Sequence, residues 1–168
     1  MLINFFGDIT KLINFYLSKQ KFKYCFFNEN EHTFKYIEPY ILKKIKKQKV
    51  LIFTFSNLDL DTDNVKVLYI RNNFLREFFF LTTNIKYIYS TTPDLNYSLF
   101  KRSKFGKNKY IYLQHSPLSL TKAYNYNAFY HFDAIQAIHT FHVQEIKKFQ
   151  KSGKKIKSFK SKYKIIEK

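Results

Sequence analysis

Apolar residues along the chain fall into two patterns, one with helical spacing and one in short continuous runs. Near the amino terminus apolar side chains recur every three or four residues, while Asn4, Asp8, Lys11 and Ser18 fall on the other side. The apolar positions are Leu2, Phe5, Phe6, Ile9, Leu12, Ile13, Tyr16 and Leu17. This pattern predicts an amphipathic helix over residues 1–20. Such a helix either packs on the domain or lies in the plane of a membrane surface, aided by nearby lysines.

The continuous runs predict strands that are buried on both faces, as in a parallel sheet. They cover residues 24–27, 50–55, 65–70, 85–89, 110–113 and 132–138. Segments with helical spacing stand between several of them, and Asn72 is placed to cap one such helix. Thr92 or Asp94 is placed to cap a short helix toward Phe100. Strands that alternate with helices predict an α/β fold, a three-layer Rossmann-like parallel sheet of about six strands.

Composition adds a strong positive charge. The 168 residues include 30 Lys and Arg against 12 Asp and Glu, a formal charge of +18, and 45% are hydrophobic. This length and apolar content fit one domain with a real core. The charge favours polyanionic partners such as anionic lipid, nucleic acid or phosphate-rich substrates. The abundance of Lys, Asn, Ile, Phe and Tyr also fits the bias of an AT-rich genome, which explains the charge without any ligand.

The charge is uneven along the chain, because residues 147–168 hold ten Lys and one Glu. The sequence therefore divides into the helical segment 1–20, a Rossmann-like domain over 21–150 and a basic tail over 151–168. The single Cys25 lies in an apolar run, so it is expected to be an inert core thiol, and a reducing compartment is the natural setting.

Polar chemistry concentrates where the predicted strands end. The strand over residues 110–113 stops at Gln114 and His115 because Pro117 cannot donate to a β-ladder. His115 is therefore expected at the carboxyl end of a buried strand, where ligands bind in open α/β sheets. Histidine is the side chain that titrates near neutrality when unperturbed, as a general base requires. The alternative role for His115 is a structural hydrogen bond to the loop.

Other polar side chains are expected at the same edge of the sheet. Glu29 and Asn30 follow the first strand, and His139 follows the strand over residues 132–138. They are candidates for contacts to acceptor hydroxyls. Asp133 stands at the start of that strand, just before its apolar run from Ala134 to Ile138, and either orients His115 or another donor or caps a loop.

Two clusters come close to metal motifs without completing them. Alternate aspartates from Asp59 to Asp63 lack the central Gly and the downstream Glu of a calcium loop. The histidines between His131 and His142 have no Cys pair and no H-E-x-x-H spacing. No metal and no cofactor are predicted. Walker, GxGxxG and serine-elbow motifs are also missing from the sequence, so nothing supports a nucleotide triphosphatase, a dehydrogenase or a serine hydrolase.

The ordered segments resemble CDP-glycerol glycerophosphotransferases, the teichoic-acid-type polymerases. The run YLQHSPLSLTKAY…AFYHFDAI, followed by residues 142–146, is similar to the acceptor-side half of that family. Residues 26–30, 92–95 and 101–104 fit the same pattern. The resemblance runs over about residues 24–149 and covers only the first half of a family member, whose second half carries the nucleotide site.

The resemblance implies the amino-terminal domain of a GT-B type glycosyltransferase fold. His115 matches the family's base, which takes a proton from the acceptor hydroxyl as that oxygen attacks the phosphorus bearing the glycerol, and CMP leaves. Lys122 matches a basic position that would hold an acceptor phosphate. The usual motif has Gly after the His, whereas Ser116 and Pro117 follow here. Ser116 can hydrogen-bond a substrate or cap the Pro117 turn.

The resemblance also implies partners and a location. The acceptor would be a polyol phosphate or glycan, lipid-linked in some relatives, and CDP-glycerol would bind well only with a completing domain. A cytoplasmic protein, peripheral on the inner face of the plasma membrane, fits such an acceptor. No apolar run approaches the ~20 residues of a spanning helix. The first 17 residues lack the basic leader and small-residue cleavage site of a signal peptide.

Two other functions stay open at this point. The basic tail, with Phe159 and Tyr163 among its lysines, could make the protein a non-catalytic module that binds anionic lipid or nucleic acid. No nucleic-acid recognition motif is present, which disfavours nucleic acid. A GT-B type sugar transferase with another nucleotide-linked donor would have the same architecture, because fold does not fix function.

Overall fold

The computed structural model describes residues 2–56, 58, 60, 62–97, 100–125, 127–149 and 157–160. The helices in these ranges are α1 (Leu2–Leu17), α2 (Glu31–Ile45), α3 (Asn73–Thr82), α4 (Leu120–Ala123) and α5 (Thr140–Phe149). The strands are β1 (Tyr24–Asn28), β2 (Val50–Thr54), β3 (Val65–Tyr69), β4 (Tyr87–Ser90), β5 (Lys109–Leu113), β6 (Ala134–Ala137) and β7 (Lys157–Lys160).

All strand pairs in the sheet are parallel, and the strand order is β3-β2-β1-β4-β5-β6-β7. The predicted three-layer, Rossmann-like α/β fold is therefore confirmed. The sheet has one strand more than the six expected. The additional strand is β7, which pairs with β6 inside the range that the sequence assigned to a basic tail. Its sequence, KSFK, has no continuous apolar run that would predict a strand. The other tail residues, 151–156 and 161–168, lie outside the described residues.

The order of the strands creates a reversal point between β1 and β4. The chain first steps outward from β1 through β2 to β3, and then returns past β1 to build β4, β5, β6 and β7 on the other side. Because every strand is parallel, all of them end at one edge of the sheet, which we call the carboxyl edge. In open sheets of this kind, ligands bind at that edge, at the point where the strand order reverses.

Helices cover both faces of the sheet. Side chains of α1 and α3 pack with one face in a core cluster rich in phenylalanine, and α2 packs on the other face through Ile37, Tyr40 and Ile41. In the first cluster the rings of Phe53 and Phe79 stack with their centroids 4.3 Å apart. Burial of aromatic rings in such pairs is a major contribution to core stability.

Cys25 belongs to the phenylalanine-rich cluster and is fully buried. Burial raises the pKa of its thiol, because the charged thiolate would lose its hydration. The predicted core location of this thiol is therefore confirmed.

The helix ends confirm one capping prediction and show that another is wrong. Asn72 caps α3 as predicted, because its Oδ1 accepts a hydrogen bond of 3.1 Å from the Leu75 backbone N–H. The short helix expected after Thr92 or Asp94 is wrong for the residues described there. Asp94 and Asn96 have positive φ values of 58° and 76°, which interrupt a right-handed helix. Both residue types tolerate the left-handed region, so the segment forms a turn instead.

Helix α1 is anchored to the domain by a buried carboxylate. Asp8 is 2% exposed, and its Oδ2 accepts hydrogen bonds from the backbone N–H groups of Arg71 at 2.7 Å and Asn72 at 2.8 Å. These donors stand just before α3, so the contact joins the two helices. Leu12 is also buried in the core beneath α1. Of the two roles considered for the amphipathic helix, packing on the domain is therefore present.

Replacement of Asp8 by Ala should destabilise the protein. Both part-buried backbone donors would lose their acceptor, and leaving such a donor unpaired costs up to about 1–3 kcal/mol. The free energy of unfolding, measured by urea denaturation, should fall by about that amount or more. Asp63→Ala is the matched control, because Asp63 is exposed, and a surface change should stay within about 0.5 kcal/mol. Equal stability of the two variants would contradict the anchoring role of Asp8.

Candidate functional site

The carboxyl edge brings the ends of β1, β4, β5 and β6 side by side. Phe27 of β1 is level with Ser90 of β4, and Ser90 is level with Tyr112 of β5. The residues that follow these positions therefore line one continuous edge across the reversal point. Asn28, Thr91 and Gln114, which end or follow three of the strands, are buried polar residues. Buried polar side chains in a row are costly unless they are hydrogen-bonded, so they mark this edge as more than a structural boundary.

The backbone before His115 is held in place by a continuation of the ladder. Gln114 donates its backbone N–H to the Gln136 carbonyl at 3.0 Å, and its side-chain Nε2 donates to the Ser116 carbonyl at 2.6 Å. Gln114 is 1% exposed, and its Oε1 has no hydrogen-bond partner among the described residues. Hydrogen bonds therefore fix the backbone both before and after His115.

The His115 imidazole is half-buried between aromatic side chains. Its ring centroid lies 5.4 Å from that of Tyr36 on α2 and 6.5 Å from that of Tyr112 on β5. Burial lowers the pKa of the ring because it disfavours the charged imidazolium, and the nearby Leu113 backbone acts in the opposite direction. The neutral form is therefore favoured at physiological pH, and this is the form that can accept a proton.

Two unpartnered polar atoms lie on the α2 side of the carboxyl edge. One is His115 Nδ1, which is buried and has no hydrogen-bond partner among the described residues. The other is Nδ2 of Asn28, a residue with no exposed surface. The Asn28 Oδ1 accepts a hydrogen bond of 3.0 Å from the Thr33 hydroxyl, and Thr33 is one helical turn from Tyr36. The first turns of α2 therefore connect the end of β1 to the His115 ring.

Glu29 and Asn30 differ in whether their side-chain oxygens are already used by the fold. Asn30 caps α2 by accepting a hydrogen bond of 3.0 Å from the Thr33 backbone N–H, so its Oδ1 is used by the fold. Glu29 has an exposed side chain, but protein atoms on one side partly desolvate its carboxyl group, which raises its pKa. A hydrogen bond with the Thr92 side chain and the charge of Arg76 act in the opposite direction. Because Thr92 follows β4, the Glu29–Thr92 contact spans the reversal point.

The remaining predicted residues lie beside this centre. Ser116 Oγ accepts a hydrogen bond of 3.2 Å from the Leu118 N–H, which is the turn role considered for it. Lys122 lies in α4 with an exposed side chain. His139 is exposed at the end of β6, with its ring stacked 5.7 Å from Phe141. Among the described residues, no ring contact joins His139 to His115.

Asp133 has a structural role far from His115. Its Oδ2 accepts hydrogen bonds from the Tyr110 backbone N–H at 2.9 Å and from Arg102 at 3.0 Å, and Lys109 approaches its Oδ1 at 3.3 Å. These contacts lie where β5 and β6 begin, at the opposite edge of the sheet from His115. They also lower the pKa of the Asp133 carboxyl against the effect of burial. Of the two roles considered, the loop contact is therefore the one that the structure contains.

The sequence did not single out Asn28, Tyr36, Thr92 or Arg76 as parts of this site. Asn28 carried a usable signal, because an amide that ends a buried strand needs a partner. Tyr36 and Thr92 carried none, since their role depends on which strands become neighbours. Arg76 stacks with its Cζ 3.6 Å from the Phe55 ring centroid and acts electrostatically on Glu29. Arg76 is therefore a cation that acts on a residue at the reversal point. From helical spacing alone it would be predicted only to lie on the surface of α3.

Comparison of the chain with protein-family models, curated proteins and solved structures finds no match. In the part of the chain that the structure describes, no three His, Cys, Asp or Glu side chains are grouped to hold a metal ion. The carboxyl edge brings together an imidazole whose lowered pKa favours the neutral form, a buried amide nitrogen without a partner among the described residues, and a carboxylate. These groups can bind a hydroxyl-bearing ligand and accept its proton.

The pKa of His115 should lie below the ordinary histidine value of about 6.5. The histidine Cε1–H chemical shift, followed by NMR against pH, measures it. Tyr36→Ala removes a ring that buries His115 and should raise the pKa toward that value. Tyr97→Ala is the matched control, because the Tyr97 ring lies 5.3 Å from a different histidine, His131. Titration of His115 at or above about 6.5, or an equal shift in both variants, would contradict the proposed burial effect.

The same shift makes folding stability depend on pH. An imidazole whose pKa is lower in the folded than in the unfolded state binds more protons when unfolded, so stability rises with pH in that window. The contribution of His115 should be full above about pH 6.5 and decline as pH falls through its folded pKa. His115→Gln should reduce this decline, measured by urea denaturation across the acidic range.

Proposed function

We propose that the chain is the acceptor-side part of an enzyme like the CDP-glycerol glycerophosphotransferases. It would help to transfer glycerol phosphate, or a similar polyol phosphate, from a CDP-linked donor to a hydroxyl of a glycan or lipid-linked acceptor in cell-surface polysaccharide synthesis. The observation that carries this proposal is the half-buried, neutral His115 at the end of β5, with a free buried nitrogen beside the reversal point. The resemblance of the ordered sequence segments supplies the donor and the class of acceptor.

The proposed chemistry needs one proton acceptor on this side of the cleft. The His115 ring takes the proton from the acceptor hydroxyl as its oxygen attacks the phosphorus that bears the glycerol. A new P–O bond forms to the acceptor, the P–O bond to CMP breaks, and CMP leaves with the electron pair of that bond. General base catalysis of this kind typically contributes about 10²–10⁴-fold to a rate. Burial supports the role because it keeps the ring unprotonated near neutral pH.

Other groups at the carboxyl edge would position the acceptor. The Asn28 amide can donate to an acceptor oxygen, because its Nδ2 has no partner among the described residues. Glu29 can accept from a hydroxyl at the mouth of the crevice. Lys122 is exposed on α4, a few residues after His115, and can pair with an acceptor phosphate. A polyol phosphate carries both hydroxyls and phosphates, so its chemistry fits this set.

The donor is proposed to require a completing domain. The resemblance covers only the acceptor-side half of the family, and the described residues contribute no glycine-rich phosphate loop. A domain that closes over the carboxyl edge would bring the CDP-linked donor to His115 and exclude water. For a lipid-linked acceptor, the assembled enzyme would work as a peripheral protein at the inner face of the plasma membrane.

Acceptor binding is the test of this function. A short glycerol phosphate oligomer, titrated into the protein and followed by NMR, should shift signals of residues at the carboxyl edge. His115→Gln should raise the dissociation constant by about tenfold, because one hydrogen bond to the ligand is lost. Lys122→Ala should also weaken binding, whereas Lys46→Ala, a lysine at the far end of α2, is the matched control and should not.

Two results would contradict the acceptor role. One is the absence of any shift at the carboxyl edge at millimolar oligomer. The other is an equal loss of affinity in Lys122→Ala and Lys46→Ala, which would indicate that general charge attraction holds the oligomer. Binding of UDP-linked sugars instead of the oligomer would favour a sugar transferase of the same architecture.

The chain by itself should release no CMP from CDP-glycerol in the presence of the oligomer. The expected result is CMP at the level of a protein-free control, measured by chromatography, because the donor site is proposed to lie in the completing domain. CMP release that disappears in His115→Gln would show that this chain contains the donor site as well. That outcome would retain the transferase proposal and overturn the need for a completing domain.

A further inference from the structure

Large apolar side chains stand in solvent along the outer sides of α1 and α3. They form a single group that we call the apolar patch: Phe6, Ile13, Tyr16, Leu17, Phe74 and Phe78. Leu17 and Phe74 are each 70% exposed, although α1 is firmly packed through Asp8 and Leu12. Spacings of three and four residues put each helix's members on one side of that helix. An apolar surface of this kind on a packed helix pair indicates an interaction site.

A groove runs between the two helices within this patch. Its volume is about 220 Å³, and Ile9, Ile13, Phe74 and Phe78 are among its lining residues. The Tyr16 hydroxyl is hydrogen-bonded to the Thr82 hydroxyl at 2.7 Å, which fixes the end of the groove. Tyrosine with an apolar body and a polar tip suits the boundary between water and a bilayer.

A second, basic cavity adjoins the groove at the carboxyl-terminal ends of α1 and α3. Its volume is about 570 Å³, Tyr16 lines it as well, and its basic side chains are Lys21, Lys23 and Lys86. We call it the lysine pocket. None of these three lysines forms an ion pair with a carboxylate of the described residues. Two of them also lie over aromatic rings, with the ammonium nitrogen of Lys23 5.7 Å from the Tyr24 ring centroid and that of Lys86 5.6 Å from the Tyr87 ring centroid. The pocket therefore places positive charge without a carboxylate partner beside the apolar patch.

Negative charge is scarce on the same surface. Helices α1 and α3 carry two carboxylates in their sequences, Asp8 and Glu77. Asp8 is buried and bound by backbone N–H groups, so it does not face solvent. Lys19 is exposed just beyond α1 and adds to the positive side. An apolar strip bordered by lysines is complementary to a surface whose outer layer is anionic and whose interior is apolar.

We infer that the apolar patch and the lysine pocket together dock the protein on an anionic phospholipid bilayer. The patch enters the boundary between headgroups and acyl chains, and the pocket lysines hold lipid phosphates. Helix α1 lies in the plane of the membrane, since no described helix is long and apolar enough to cross it. The inference gives a surface to the peripheral location proposed above, but it does not depend on any chemistry at His115.

This orientation leaves the candidate site open. Helices α1 and α3 both lead into strands, so their final residues and the lysine pocket lie at the edge where the strands begin. His115 follows the end of β5 at the opposite edge. A bilayer against α1 and α3 would therefore not cover the carboxyl edge at the reversal point between β1 and β4.

Vesicle co-sedimentation tests the inference. The protein should sediment with vesicles made of equal parts phosphatidylglycerol and phosphatidylcholine, and remain in solution with phosphatidylcholine alone. The double variant Leu17→Ser with Phe74→Ser should lose at least about tenfold in affinity. Its matched control is Leu42→Ser with Leu118→Ser, because these side chains are also exposed, at 50% and 65%, but lie on α2 and at the carboxyl edge. The control should bind like the unchanged protein.

Lysine substitutions distinguish lipid binding in the lysine pocket from general charge attraction. Lys21→Ala with Lys23→Ala should weaken binding roughly tenfold or more, since each lysine near an anionic surface contributes about fivefold. Lys46→Ala with Lys47→Ala removes the same charge from the end of α2, on the other face of the sheet, and should have a smaller effect. Equal losses in the two pairs would overturn the pocket.

A fluorescence arm reports which surface meets the lipid. The chain has no Trp, so a single introduced Trp is an unambiguous probe. Phe74→Trp should shift its emission to the blue on anionic vesicles, and Leu42→Trp should not. No sedimentation with anionic vesicles, or a shift at Leu42→Trp alone, would overturn the inference. Self-association that Leu17→Ser with Phe74→Ser abolishes, without vesicle binding, would assign the patch to a second copy of the chain instead.

Discussion

Parallel pairing of every strand in the sheet is the constraint on which the rest of the structure depends. It sends the ends of all strands to one edge and their beginnings to the other. The return of the chain past β1 creates a reversal point between β1 and β4, and in open sheets of this kind ligands bind beyond the strand ends at such a point. Asn28, Glu29 and Thr92 lie at this point because they end or follow these two strands, and His115 follows the next strand along. The order of the strands therefore decides which residues meet at the candidate site.

Burial links the core to the candidate chemistry. The rings of Tyr36 and Tyr112 complete the packing around the end of β5, and the same rings remove water from His115. A fully solvated imidazole would be partly protonated near neutral pH, whereas the desolvated ring stays neutral. The opposite edge shows the converse arrangement, because Asp133 is kept charged by Arg102 and Lys109 and serves the fold. At the carboxyl edge, by contrast, Asn28 Nδ2, Gln114 Oε1 and His115 Nδ1 are buried without a hydrogen-bond partner among the described residues.

The sequence could predict the sheet because its inner strands are continuous apolar runs, as at Val50–Thr54, and it could predict the Asn72 cap from residue type alone. It could not predict β7, whose residues KSFK are identified as a strand only by their pairing with β6. The turn at Asp94 and Asn96 depends on backbone angles that other residues also allow. His115 could be placed at a strand end from Pro117, but its contact with Tyr36 depends on how α2 packs over the sheet. Local pattern therefore gives the elements, and long-range packing gives the environment of the site.

The central claim is that the crevice between β1 and β4 receives a hydroxyl-bearing acceptor beside a neutral His115. A crystal structure of the chain with a glycerol phosphate oligomer tests it most directly. The account predicts the oligomer in that crevice, with one hydroxyl within hydrogen-bond distance of the His115 ring and an oxygen at the Asn28 amide. An oligomer bound only at the lysine pocket, with the crevice empty, would contradict it.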